Sequence, residues 1–246
     1  MPNIYLSPST QEANLYVTGG SEEYWMNLLA DELEPWLSAS GIRYSRNTPQ
    51  MTAGSSIRAS NAGNYDFRLA LHSNAAPEGK YGEAQGIIAF YAPNSTKGEQ
   101  AAVLISENLS TIYPFPAGAR AQSTTSLGEV TRTRAPAVLV EIAYHDNTDD
   151  ANWITSNLEH IAEKLALSMT EYFGLPLVPP MVPQTGKVAL ESGNLNLRRY
   201  PGTGGSVIAS IPNGAVLTVL GSRNGWYTVN YNGTIGFVNA DYIRLI

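Results

Sequence analysis

Four prolines, Pro176, Pro179, Pro180 and Pro183, fall between Gly174 and Gly186, and they constrain this chain more than any other stretch. Proline has no amide hydrogen and fixes its own φ, so such a segment suits neither a helix interior nor a central strand. It reads as a semi-rigid linker over 175–186. The linker divides the 246 residues into a larger part, 1–174, and a smaller one, 187–246.

In the larger part, strand-like and helix-like patterns alternate. Residues 4–7, 42–45, 67–72, 86–91 and 137–141 read as strands, and 22–39, 55–62, 97–112 and 149–173 as helices, the last in two pieces. Trp25, Leu28, Leu29, Leu33 and Trp36 recur at helical spacing. Pro35 is expected to kink or split that helix near Glu34. The run Ala137-Val138-Leu139-Val140 is apolar on both faces, as a central parallel strand is. This order predicts an α/β domain with a mostly parallel sheet flanked by helices. Beyond the linker, short alternating runs at 216–219, 226–229 and 235–238 follow Asn213-Gly214, Asn224-Gly225 and Asn232-Gly233. Asn-Gly between such runs is the strongest short hairpin signal, so 187–246 predicts a small all-β barrel.

Composition narrows the function. With no cysteine there is neither a disulfide framework nor a thiolate metal site. A formal net charge of −6 speaks against a nucleic-acid partner. No apolar run approaches the roughly 20 residues of a membrane span. Met1-Pro2-Asn3-Ile4 reads as the approach to a first strand and not as a signal peptide. The expectation is a chain that is cytoplasmic until lysis releases it, or one that has lost its signal.

Three polar side chains stand out at the ends of apolar segments: Glu23 at the start of the first helix, His72 at the end of the third strand, and Glu141 at the end of the fifth. Charged and imidazole groups are costly in such places unless paired or metal-bound. A shared site of two metal ligands and a general base follows as the reading.

The order and surroundings of these residues resemble the zinc-dependent N-acetylmuramoyl-L-alanine amidases over roughly 3–173. Pro136-Ala137-Val138-Leu139-Val140-Glu141 is similar to the run that ends in the family's catalytic Glu, and His72-Ser73-Asn74 to its His-x-Asn ligand segment. Glu23 and Asn27 reproduce the spacing of its ligand Glu to an Asn four residues on; Glu22 does not. Asn147 matches an Asn six residues after the catalytic Glu. The resemblance implies a phosphorylase/hydrolase-like fold, Zn2+ as cofactor, Glu141 as catalytic base, and Glu23 and His72 as metal ligands. One departure is plain: Thr10 stands where the family's first ligand histidine is expected. The chain has only three histidines, so His145 or Gln11 is expected to complete the site, with His145 favoured because it follows Glu141 by four residues. Residues 187–246 resemble the bacterial SH3-like domain, through Leu195-Asn196-Leu197-Arg198, Gly225-Trp226-Tyr227 and Gly236-Phe237-Val238. Together these imply a monomeric cell-wall hydrolase, endolysin or autolysin, that binds bacterial peptidoglycan and cuts the amide between N-acetylmuramic acid and L-alanine. A non-catalytic wall-binding protein and another metal-dependent peptidoglycan peptidase remain as alternatives.

Overall fold

The computed structural model describes all 246 residues. By contacts the chain falls into two units: Asn3–Leu33 with Tyr44–Tyr172, and Met1–Pro2 and Glu34–Arg43 with Phe173–Ile246. The first holds most of the α/β fold. Its six-stranded sheet has the order β2-β1-β3-β6-β4-β5, built from β1 (Asn3–Pro8), β2 (Arg43–Arg46), β3 (Phe67–Asn74), β4 (Ile88–Tyr91), β5 (Arg120–Ser123) and β6 (Ala137–Tyr144). β1, β3 and β6 run parallel; β4 is antiparallel to β6 and parallel to β5. The sheet is thus mostly parallel, with one reversal. Its helices are α1 (Glu22–Ala39), α2 (Ala53–Ala62), α3 (Thr96–Ser110), the single turn α4 (Gly128–Thr131), α5 (Thr148–Ser156) and α6 (Leu158–Phe173).

Local chemistry explains where these elements begin. The Ser21 hydroxyl accepts from the Tyr24 amide, capping α1 one residue before two acidic side chains that favour its positive end. Thr52 and Ser55 form a reciprocal capping box at the start of α2. α1 buries Met26, Leu29, Leu33 and Leu37 completely, while Trp25, Leu28 and Trp36 stay half-buried, so the buried stripe lies beside the one expected. The helix also passes through Pro35 without a break.

The second unit carries a seven-stranded antiparallel sheet, order β13-β7-β10-β11-β12-β8-β9. Its strands are β7 (Pro180–Val188), β8 (Asn194–Arg198), β9 (Val207–Pro212), β10 (Val216–Arg223), β11 (Trp226–Tyr231), β12 (Thr234–Asn239) and β13 (Ile243–Leu245). Leu197, Ile211, Val219, Val229 and Val238 fill its core. The linker expected over 175–186 needs correction, because from Pro180 onward it is strand β7. The prolines are tolerated there because β13 pairs only with Gly186–Val188, leaving Pro180 and Pro183 with β10 as their one neighbour. Asn224-Gly225 and Asn232-Gly233 adopt positive φ at both residues, 49° and 77°, 50° and 80°, and close hairpins between β10, β11 and β12. Asn213-Gly214 differs. Its strands β9 and β10 are not neighbours, and Asn213 spends its side chain on both backbone groups of Leu190.

Candidate active site

The C-terminal ends of β1, β3 and β6, with the first turn of α2 and the turn α4, enclose a cleft of about 380 Å³. Open parallel sheets place their sites at this edge. Pro8–Gln11, Thr52, Ser56, His72, Glu129, Leu139 and Glu141 line it. His72 and Glu141 sit in register on adjacent strands, so their side chains leave the sheet on the same side.

His72 is gripped on both sides. Its Nδ1 lies 2.8 Å from Glu22 Oε1 and its Nε2 2.9 Å from Glu129 Oε2. Each carboxylate is anchored in turn. Glu22 accepts from Asn14 Nδ2 at 2.6 Å, and Gln11 Nε2 lies 3.2 and 3.3 Å from its two oxygens. Glu129 Oε1 accepts from Arg68 Nη2 at 2.6 Å and from Ser7 Oγ at 3.2 Å. The protonation states follow. Burial pushes His72 down, but its bonds to Glu129 and Glu22 outweigh that and raise it to about 10. Burial pushes Glu129 up, yet His72 and Arg68 bring it down to about 2, and His72 likewise keeps Glu22 below the usual carboxylate range. Glu141 has no such partner. Its Oε2 is buried without a hydrogen bond, and burial raises it to about 7, helped by Glu22 and Glu129 and opposed by His72.

The structure brings together His72, Glu141 and Gln11 and leaves out two residues expected beside them. Glu23 faces Asn27, its Oε1 3.5 Å from Nδ2, and Glu22 takes the place beside His72. Successive helix residues point about 100° apart, so only one of the two acids can face the cleft. His145 is also turned away. Its Nδ1 lies 3.0 Å from both the hydroxyl and the carbonyl oxygen of Ser73, and its ring stacks on Tyr16 with centroids 5.3 Å apart. The β6 loop that carries it is tied to β3 through the His145 amide and Asn74 carbonyl. Asn147 caps α5 and donates to the Gly82 carbonyl, a structural role. Asn61 braces the segment before β6 through Arg132 and Arg134.

Sequence reasoning missed Glu129 and Arg68. Arg68 carried a signal: an arginine inside the apolar run Phe67–Leu71 demands a buried acid, since an unpaired charge there is prohibitive.

No three histidine or acidic side chains converge to hold a metal ion. His72 and Glu22 stand together, with an amide beside them. Gln11 Nε2 lies 3.4 Å from His72 Nδ1, close to both Glu22 oxygens, and a half-turn of the amide puts its carbonyl oxygen there instead. Imidazole nitrogen, carboxylate and amide oxygen around one point, with the unpartnered Glu141 carboxylate in the same cleft, fit a divalent cation with room for a water.

The bacterial SH3 domain model matches residues 193–244. An endolysin of Bacillus phage SPP1 is 31% identical over 120 residues, 48% of this chain and 44% of that protein, so the match spans less than half of this relative. The amidase structure from Clostridium difficile 630 superposes with a TM-score of 0.62 at 16% identity, covering 70% of this chain and 97% of that one. The catalytic domain of the CD27L endolysin, which targets Clostridia difficile, gives 0.58 at 20%, covering 70% and 98%. At such identities these two likenesses are of fold alone. The N-acetylmuramoyl-L-alanine amidase family model matches residues 10–171, about two-thirds of the sequence and every cleft residue from Thr10 onward, and to that family the chain belongs.

Proposed function

We propose that this chain is a peptidoglycan amidase that cuts the bond between N-acetylmuramic acid and L-alanine, and that it lyses bacterial cell walls. The observation that carries the reading is Glu141, a carboxylate with one buried oxygen left unbonded, beside a histidine already committed to other partners. Its pKa near 7 suits a group that must take a proton and return it. Glu141 removes the proton of the attacking water and delivers it to the departing amine. Gln11, Glu22 and His72 would hold Zn2+, in place of the expected Glu23 and His145. When bound, zinc polarises the amide carbonyl and acidifies the water. Thr52 and Ser56 also line the cleft. The barrel over 193–244 binds the wall and raises the local substrate concentration.

Glu141→Gln tests the core of this. The variant is expected to keep zinc by elemental analysis and to lose on the order of 10²–10⁴-fold in wall clearing. Mass spectrometry of wild-type digests is expected to find intact glycan and peptides with free N-terminal alanine. Cuts within the stem peptide would reject the amidase assignment.

A further inference from the structure

We propose that Glu129, clamped by Arg68, is a positioning residue that fixes the tautomer of His72 and so selects Nδ1 as the nitrogen offered to the cation. This rests on reading His72 as a ligand. Arg68 is wholly buried in β3 and permanently charged. Its guanidinium spans Ser56 O and Oγ at 3.1 Å each, Ser7 Oγ at 2.9 Å and Glu129 Oε1 at 2.6 Å, and lies 5.1 Å from the Tyr5 ring centre. Both Glu129 oxygens are thereby committed, Oε1 to Arg68 and Ser7, Oε2 to His72.

A carboxylate held this way can only accept, so His72 Nε2 must carry a hydrogen. The lone pair of the neutral ring is then left on Nδ1, which faces Glu22 and Gln11. A carboxylate behind an imidazole in this manner also makes the ring a better donor and stops it rotating. The same commitment separates the two cleft acids by role. Glu129 has no oxygen free for a reacting proton; Glu141 has one.

Glu129→Gln reverses the logic. Arg68 retains the amide oxygen, so the amide NH2 faces Nε2 and requires a lone pair there, driving the hydrogen to Nδ1. The test is 15N NMR of the histidine-labelled full chain, where three histidines make assignment by single substitution direct. In the zinc-free wild type His72 Nε2 is expected in the protonated range, because Glu129 Oε2 can only accept from it, and in Glu129→Gln it moves to the unprotonated range. By chelator competition the variant is expected to bind zinc 10–100-fold more weakly. If burying Arg68 without its acid prevents folding, Arg68→Met with Glu129→Leu removes both charges together, and the same loss of the Nε2 hydrogen is expected. An unchanged His72 spectrum with zinc affinity within twofold of wild type overturns the proposal. Failure of the wild type to bind zinc would refute the metal reading, whereas the zinc-free spectra still decide the role of Glu129.

Discussion

Glu141, the proposed base, carries a cost in stability. Its folded pKa of about 7 lies above the ordinary 4.5, so the folded chain holds this proton more tightly than the unfolded one. Stability from that difference is complete below about pH 4.5 and is lost as pH rises through 7. In the zinc-free protein, Glu141→Gln is therefore expected to be more stable than wild type at pH 8, by up to about 3 kcal/mol, and to converge with it towards pH 4.5. Denaturant melts at the two pH values check this; equal stability at pH 8 would mean the carboxylate is not strained by burial. Glu141 was legible in the sequence because it ends an apolar run with its own pattern. The choice between Glu22 and Glu23 was not, since spacing to Asn27 favours one and helix rotation the other. Glu129 was hidden for another reason: its helix is a single turn and shows no periodicity.

Among the elements, β6 repays the closest inspection. Its pairing with β3 advances by two residues from His72 to Asn74 while β6 advances by three, from Glu141 to Tyr144. The extra residue is absorbed at Ala143, whose φ of 60° is left-handed. This bulge follows the proposed base directly and bends the strand after it, the usual place for stored backbone strain. Ala143→Gly is expected to stay within about 1 kcal/mol of wild type, and Ala143→Val to lose about 2–4 kcal/mol, because a β-branched residue resists that φ and the site is fully buried. Thermal melts of both variants test it, and a harmless Val would mean that the left-handed φ at Ala143 stores no strain. The long helices were readable from their period, and the central strands from unbroken apolar runs. The short β5 and α4 were not, nor was the reversed β4, because local pattern does not encode direction.

At the scale of the molecule, no helix is long and apolar enough to cross a membrane. The two family matches fall on either side of the proline segment, as the change in sequence texture indicated. What texture could not give was the fate of that segment, since strand pairing depends on partners far along the chain. The proposed cation donors are global in the same sense: Gln11 and Glu22 meet His72 only when the β1 loop, α1 and β3 are all in place. Zinc at 100 times its Kd is expected to stabilise the wild type by about 2.7 kcal/mol. His72→Ala should show none of this increment, and an equal shift in that variant would place the ion elsewhere.

The sequence separation of 61 between Gln11 and His72 also bears on how the protein reaches its native state. Parallel pairing of β1 with β3 requires the intervening helices to cross over first, so the donors assemble late. Interactions absent from the rate-limiting barrier slow escape from the native state without hastening arrival. Zinc is thus expected to leave the refolding rate unchanged and to lower the unfolding rate, which stopped-flow experiments with and without the ion separate. An ion that speeds refolding would mean that the Gln11, Glu22 and His72 segments come together before the sheet does. The cleft would then act as a kinetic lock, closing only after the chain has found its shape and thereafter lengthening the lifetime of the folded enzyme.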